Sequence, residues 1–400
     1  MRIRFKKANL IQPTSIVNSV APQVSPTPVL CNVLIRTEHD NMVSLVAADY
    51  ETRVRVEVIA DVEEHGSVLI PAKTFSDLVK ELPEDSELTL ETSVGSAFIT
   101  ASGVKAKLQT MPVVDYPHAQ EFDPDFSLDI PQEPFHHLLS AVTFAIAQRE
   151  TRKVFLGCCF DFLGDALQAN ATDGKMMALA KIPLESEGIP TNRQIIIPRK
   201  LLVELSNILV DEGNLTMQVA ERAVSVSVGN VCFVSNLIDG TFPNWENVMP
   251  KSFAYTVRLP RYQILSALRR ANVIMDIKTP SVKIDITDEE VRVKADSYDR
   301  GQFTETIEAQ NSIGQKYSIG LNFGYLNNVL KVLNDTDILM MCNEPNKPVV
   351  FTVACNPDTS YLVMPVRLPR EVEEKQEADA SEEDDEEPVG PGDSSYNDED

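Results

Sequence analysis

Six cysteines in 400 residues form no Cys-x-x-Cys pair, and Cys158 and Cys159 stand side by side in an apolar stretch, where strand neighbours point to opposite faces. The spacing excludes a zinc ribbon or a dithiol redox motif and predicts buried free thiols. The five histidines, His39, His65, His118, His136 and His137, have no nucleophile beside them, and a pair opening a helix, as His136-His137 does, ordinarily caps or faces solvent. No P-loop spacing, Gly-x-Gly-x-x-Gly or His-Glu-x-x-His occurs, so nucleotide and zinc chemistry lack a motif and neither cofactor nor metal is expected. Asp173-Gly174 and Asp239-Gly240 are turn chemistry before they are catalytic carboxylates. No apolar run approaches the length of a membrane span, and Met1-Arg-Ile-Arg-Phe-Lys-Lys7 reads as a charged strand rather than a secretory signal. These absences point to a cytoplasmic globular protein that is not an enzyme.

Positive charge is scarce overall. The formal net charge is −24, and its distribution is uneven. Residues 371–400 hold fifteen Asp or Glu against one Lys, a net −14 that leaves the body at −10. A tail containing Glu382-Glu-Asp-Asp-Glu-Glu387 cannot bury enough apolar surface to offset its ordering entropy, and disorder is expected from 370 to 400.

What the chain does have is one text written three times, about 125 residues apart, too long a period for a solenoid and right for a domain. A helix led by Pro or Asn recurs at Pro71-Ala-Lys-Thr-Phe-Ser-Asp-Leu-Val-Lys-Glu-Leu82, Pro198-Arg-Lys-Leu-Leu-Val-Glu-Leu-Ser-Asn-Ile-Leu209 and Asn322-Phe-Gly-Tyr-Leu-Asn-Asn-Val-Leu-Lys-Val-Leu333. A strand end recurs as Ala48-Asp49, Thr172-Asp173 and Ala295-Asp296, and an apolar helix opens each unit near 8–21, 133–147 and 260–273. Between the helices, Val33–Ile35, Val43–Val46, Thr52–Val58, Glu87–Glu91 and Ala97–Thr100 alternate with period two. The fold class is α+β: three tandem domains of two helices and antiparallel sheets, at 1–123, 124–250 and 251–369, with the acidic tail beyond.

The helix faces carry a bias. At 100° per residue, Phe75, Leu78, Val79 and Leu82 share one side of their helix and Lys73, Asp77 and Lys80 the other. Leu201, Leu202, Leu205, Ile208 and Leu209 likewise oppose Lys200 and Asn207, and Ile264, Leu265, Leu268 and Ala271 oppose Gln263, Ser266 and Arg270. For one helix this is an ordinary solvated face. Repeated in an acidic body, it suggests a lining that meets phosphates, where each contact is weak and independent of base sequence.

Ala169-Asn-Ala-Thr-Asp-Gly174, Ile195-Ile-Ile-Pro-Arg-Lys200, Leu237-Ile-Asp-Gly-Thr-Phe-Pro243 with Val248-Met-Pro250, and Tyr361-Leu-Val-Met-Pro-Val-Arg-Leu368, in this order and spacing, resemble the bacterial DNA polymerase III β subunit, the replicative sliding clamp. The resemblance covers residues 1 to about 369. It implies a head-to-tail homodimer whose six domains close into a ring, helices lining a hole that holds double-stranded DNA. The partners it implies are the polymerase III catalytic subunit, a clamp loader and other proteins carrying a clamp-binding motif, and the location is the nucleoid. By the same resemblance Lys73, Lys80, Arg149, Arg152, Lys153, Arg199, Lys200, Arg269 and Arg270 face DNA. A partner-peptide pocket is implied at Phe155, Thr172, Gly174, Lys175, Met176, Met177, Pro243, Asn247, Val248, Val363, Met364, Pro365, Val366, Arg367 and Leu368, with Met364 the adaptable wall. Leu108, Val273 and Ile274 are implied at the dimer interface. The chain departs from the family at Lys175-Met176, where His-Arg is common, at Asn247, the place of a usual pocket arginine, and at Ser25, where an arginine often precedes Pro-Thr. The alternative function is a clamp-fold interaction scaffold with weakened DNA encirclement.

Overall fold

The computed structural model describes residues 1–367 apart from 40, 119–121, 185–188, 192, 277 and 355. The acidic tail and Leu368 lie outside the described residues.

Among the described residues six α-helices form where the apolar spacing requires them: α1 Lys7–Val20, α2 Ala72–Glu81, α3 Gln132–Val142, α4 Arg199–Ile208, α5 Arg261–Ile274 and α6 Phe323–Val332. The Pro-led marker is an N-terminal boundary. Pro71 and Pro198 occupy the N-cap positions of α2 and α4, and at the same place before α6 the Asn322 side chain accepts from the backbone N–H groups of Gly324 and Tyr325. Proline fixes the extended entry, and asparagine satisfies donors that the first turn leaves free.

Each second helix is also closed at its far end by the first residue of the helix before it. Lys7 is buried, and its ammonium donates to the carbonyls of Lys80 and Leu82 at the end of α2. Gln132 accepts from Val210 N–H after α4 at 3.1 Å, and Arg261 donates to Leu330 O at 2.7 Å and Lys331 O at 3.2 Å in the last turn of α6. Two buried cations thus answer the negative end of a helix dipole. They contribute to the fold and not to a charged surface.

The strands are antiparallel throughout the described pairs. In Thr52–Ile59 the alternation is literal: Thr52, Val54, Val56 and Val58 are buried under α1, and Arg53, Arg55 and Glu57 point to the other face. Burial of each Val contributes about 1.5–3 kcal/mol. Asp61–Glu64, Ser67–Pro71 and Val104–Gln109 are also strands; the first is short and polar and takes its pairing from its neighbour, the second is an apolar run, and Val-Lys-Ala-Lys-Leu-Gln alternates with period two.

Two eight-stranded sheets cross the domain boundaries. Thr52–Ile59 of the first domain pairs with Val231–Asn236 of the second, Val56 opposite Val231. Met176–Pro183 of the second pairs with Asn356–Val363 of the third, Met176 opposite Val363. Sheets therefore run continuously along one side of the arc, with the helices packed on the other.

One marker shifts. Ala47, Ala171 and Ala295 all point into the apolar core, so the equivalent of Asp49 and Asp173 is Ser297, and Asp296 matches Ala48 and Thr172. The third copy, read as Ala295-Asp296, is one residue out of register. The turn after it is one residue longer, and a single-residue slip moves a side chain to the opposite face of its sheet.

Candidate DNA and peptide interfaces

The nine cations divide by what already holds them. Lys80, Arg149, Lys153 and Arg269 are exposed and make no ion pair among the described residues. Lys73 is exposed and donates to Gln23 Oε1 at 3.2 Å. Arg199 is half-buried, with its Nε unpartnered. Arg270 is tied to Glu305 and to Ser266 Oγ. Lys200 spans the first domain junction, donating to Asp49 Oδ2 at 2.5 Å and Val20 O at 2.9 Å. A partly buried, charge-assisted pair of this kind stabilises far more than a surface pair. Replacing Lys200 with Ala is expected to lower stability by about 1–2 kcal/mol, read as a shift in thermal midpoint. An unshifted midpoint would show that the pair does not hold the junction.

Arg152 stands elsewhere. Its guanidinium lies 4.0 Å from the Phe155 ring centroid, and a Cβ on Gly174 would come within 3.0 Å of its Nη2. Gly174 has φ +85°, in the left-handed region that favours glycine. Its turn is held by Thr172 Oγ1, which donates to Met176 O at 2.6 Å and accepts from Gly174 N–H, and by Asp173 Oδ1, which accepts from Lys175 and Met176 N–H. Phe155 packs edge-on to Phe242 at 6.1 Å. From the third domain Met364 N–H donates to Lys175 O and Val366 N–H to Gly320 O, both at 2.9 Å. The Tyr325 hydroxyl on α6 is pushed up in pKa by burial and by Asp173. The second and third domains thus meet around Gly174 and Lys175.

The pocket residues do not share one face. Met177 and Leu362 lie on the outer side of the sheet with Leu179 and Val350, against Trp245, Met249 and Phe253. Met176 and Val363 point the other way, into the core, and are closed to solvent. Met364 and Val248 are 40% and 42% exposed. Pro243, Pro365 and Val366 are half-buried, and Asn247 and Arg367 are exposed. Leu362, Trp245 and Met249 were not singled out from sequence. Period two separates Leu362 from Val363, the register of the two strands sets it opposite Met177, and Trp245, the one tryptophan, sits in a polar linker where only packing would hold it. Cavities of about 790 Å³ beside Tyr255, Tyr317, Lys316 and Lys347, and of about 550 Å³ beside Arg193 and Arg222, lie elsewhere.

At the ends of the arc, Leu108 is 9% exposed and packs within its own domain, whereas Lys105 and Lys107 on the same edge strand are open. Val273 is 69% exposed and Ile274 half-buried at the end of α5. The thiols of Cys158 and Cys159 are buried on opposite faces of their strand, and burial pushes both far up in pKa.

Three repeated domains with sheets continuous outside and helices inside define a clamp-type arc. The chain belongs to the DNA polymerase III beta subunit family, whose N-terminal domain matches residues 1–120, central domain 129–244 and C-terminal domain 246–367. It is 28% identical to the beta sliding clamp of Pseudomonas putida and 26% identical to that of Escherichia coli, in each case over 92% of this chain and 100% of the relative. Among solved structures it is similar to the sliding clamps of Pseudomonas aeruginosa and Bartonella birtlesii, each bound to griselimycin. Both are 27% identical, cover 92% of this chain and 100% of their own, and have TM-scores of 0.86 and 0.87.

Proposed function

We propose that two copies of this chain close head to tail into a ring that encircles duplex DNA and tethers the replicative polymerase, a processivity factor with no catalytic role. The observation that carries this reading is the strand pairing. Each domain has two half-units, and at both junctions within the chain the last strand of a first half pairs with the last strand of the next domain's second half. Two such strands are left at sheet edges: Val104–Gln109 in the first domain and Gly301–Glu308 in the third. Open edges invite pairing. On the outer face they carry opposite charge, Lys105 and Lys107 against Glu308, and a copy placed head to tail brings one to the other.

The division at 123 and 250, each in a linker between a sheet-crossing pair, goes with this reading. So does action in the cytoplasm at the nucleoid, with the polymerase III catalytic subunit, a clamp loader and other clamp-binding proteins as partners. The direct test is topological: the protein should be retained on closed circular DNA after loading and lost when the circle is cut. A monomer that never becomes trapped would favour the interaction scaffold.

Partner peptides are proposed to dock around Phe155, Gly174, Met177, Val248 and Met364, with Leu362 and Trp245 beneath. The half-exposed Met364 suits repacking against a bulky apolar anchor. Met364→Ala is expected to weaken a polymerase-derived peptide about tenfold, as for a lost apolar contact of about 1.4 kcal/mol, with DNA retention unchanged. Equal affinity in a fluorescence titration would place the pocket elsewhere.

A further inference from the structure

The repeat lets the two internal junctions be compared position by position. Ala47 lies opposite Val54 as Ala171 lies opposite Ala178, so Arg53 and Arg55 occupy the places of Met177 and Leu179. At the second junction those places are apolar and covered by Trp245, Met249 and Phe253. At the first, the same outer face carries Arg36, Arg53 and Arg55, and the linker lays Tyr116 across it. A cavity of about 260 Å³ remains, bounded by the three arginines, Glu38 and Tyr116, with Leu34 and Val46 at its floor.

These guanidiniums are incompletely answered. Arg55 meets Glu38 at 3.3 Å and Glu57 at 3.0 Å, whereas Arg36 and Arg53 make no ion pair among the described residues. Arg53 donates to Pro117 O at 2.9 Å and lies 5.9 Å from the Tyr116 centroid. Burial lowers its pKa, Tyr116 opposes that, and Arg36 and Arg55 add to the lowering. Three arginines against Glu38 and Glu57 leave one cation in excess on this face, with Arg36 and Arg53 free of carboxylates among the described residues, and an anion would relieve it.

We propose that this arginine-lined cavity receives the chain's own acidic extension, residues 371–400. The relatives match over their full length within 92% of this chain, and the family match ends at 367, so the extension is additional to them. It supplies neighbouring carboxylates at Glu373-Glu374 and Glu382–Glu387, the chemistry that guanidinium forks bind in pairs. Extended, the chain beyond Arg367 reaches about 20 Å at Glu373, about 70 Å at Glu387 and about 110 Å at its last residue, and tethering raises the local concentration of its carboxylates. Weak contacts then suffice.

Docking there has a consequence that rests on the clamp reading. α1 covers the opposite face of these strands, so a docked extension keeps its negative charge on the sheet side, away from the helices proposed to meet DNA.

The test uses the full-length protein labelled with nitrogen-15, without DNA. The amide signals of Gly390, Gly392 and their acidic neighbours are compared at about 50 mM and about 500 mM salt, which differ severalfold in screening. The expected result is broadened or shifted signals at low salt that sharpen at high salt, and low-salt signals resembling the high-salt ones in R36Q and R36Q/R53Q. Arg36 is exposed and makes no hydrogen bond among the described residues, so R36Q tests the idea even if R53Q disturbs the linker. Signals identical in wild type and R36Q would overturn the proposal, as would signals that respond to K80E/R269E instead, because the extension would then lie on the helix face. A protein that keeps the arginine-dependent shift but is never trapped on circular DNA would remove the clamp reading and leave the docking intact.

Discussion

Reversing Lys105 and Lys107 to Glu should dissociate the dimer, raising its dissociation constant at least about tenfold for each close charge pair lost, or about 1.4 kcal/mol per pair. Both lysines lie on the outer face of the open edge Val104–Gln109 and are exposed; on that face the edge Gly301–Glu308 offers Glu308, whereas Glu305 points to the core side. The reversal turns attraction into repulsion at both interfaces of a head-to-tail dimer, so its effect counts twice per ring. Sedimentation velocity across a dilution series reads the result. The threefold variant K105E/K107E/E308K should recover part of the affinity. Recovery is incomplete because one reversed carboxylate answers two reversed lysines. Leu108, packed inside its own domain, is a poorer probe, since truncating it leaves a cavity and destabilises the monomer first. A K105E/K107E protein that remains a dimer at nanomolar concentration would mean that the ring closes through other strands.

The repeat was legible because its markers are set by local chemistry: a proline or asparagine at a helix start and apolar residues at helical spacing. α2, α4 and α6 fall where the Pro-led or Asn-led text begins. The one-residue slip at Ala295 arose where local chemistry is silent, since a turn can gain a residue without altering the strand pattern on either side. Partners across a junction were harder to read. Nothing near Lys200 in sequence announces Asp49, and nothing near Arg152 announces Gly174, because each contact joins a helix or loop to a turn that only the folded sheet brings beside it. Faces of the pocket strands could have been separated: Met176 and Met177 are adjacent, and adjacency in a strand means opposite sides. The family motif named residues without faces, and the sheet sorts them into Met177 outside and Met176 within.

That sorting decides which cations to reverse in the hole. Arg199 with Lys200 is the pair the motif suggests, but Lys200 binds Asp49, so its reversal would strain the domain junction and confuse stability with DNA binding. Lys80 and Arg269 are exposed and unpaired among the described residues, and they lie on helices of the first and third domains. In K80E/R269E a closed ring loses four cations at once. If all four meet phosphates, the plot of log affinity against log salt for DNA association should flatten by about 0.9 for each contact, or about 3–4 in all. Loading at low salt should then fall more than tenfold, while loading near 0.5 M salt, where counterion release contributes little, should change far less. Retention on closed circles should survive, because enclosure and not attraction holds a loaded ring. The measurement is loading onto nicked circular DNA across a salt series, paired with sedimentation to confirm the dimer. An unchanged slope in an intact dimer would take Lys80 and Arg269 out of the lining, leaving Arg149, Lys153 and Arg199 as the cations to test next.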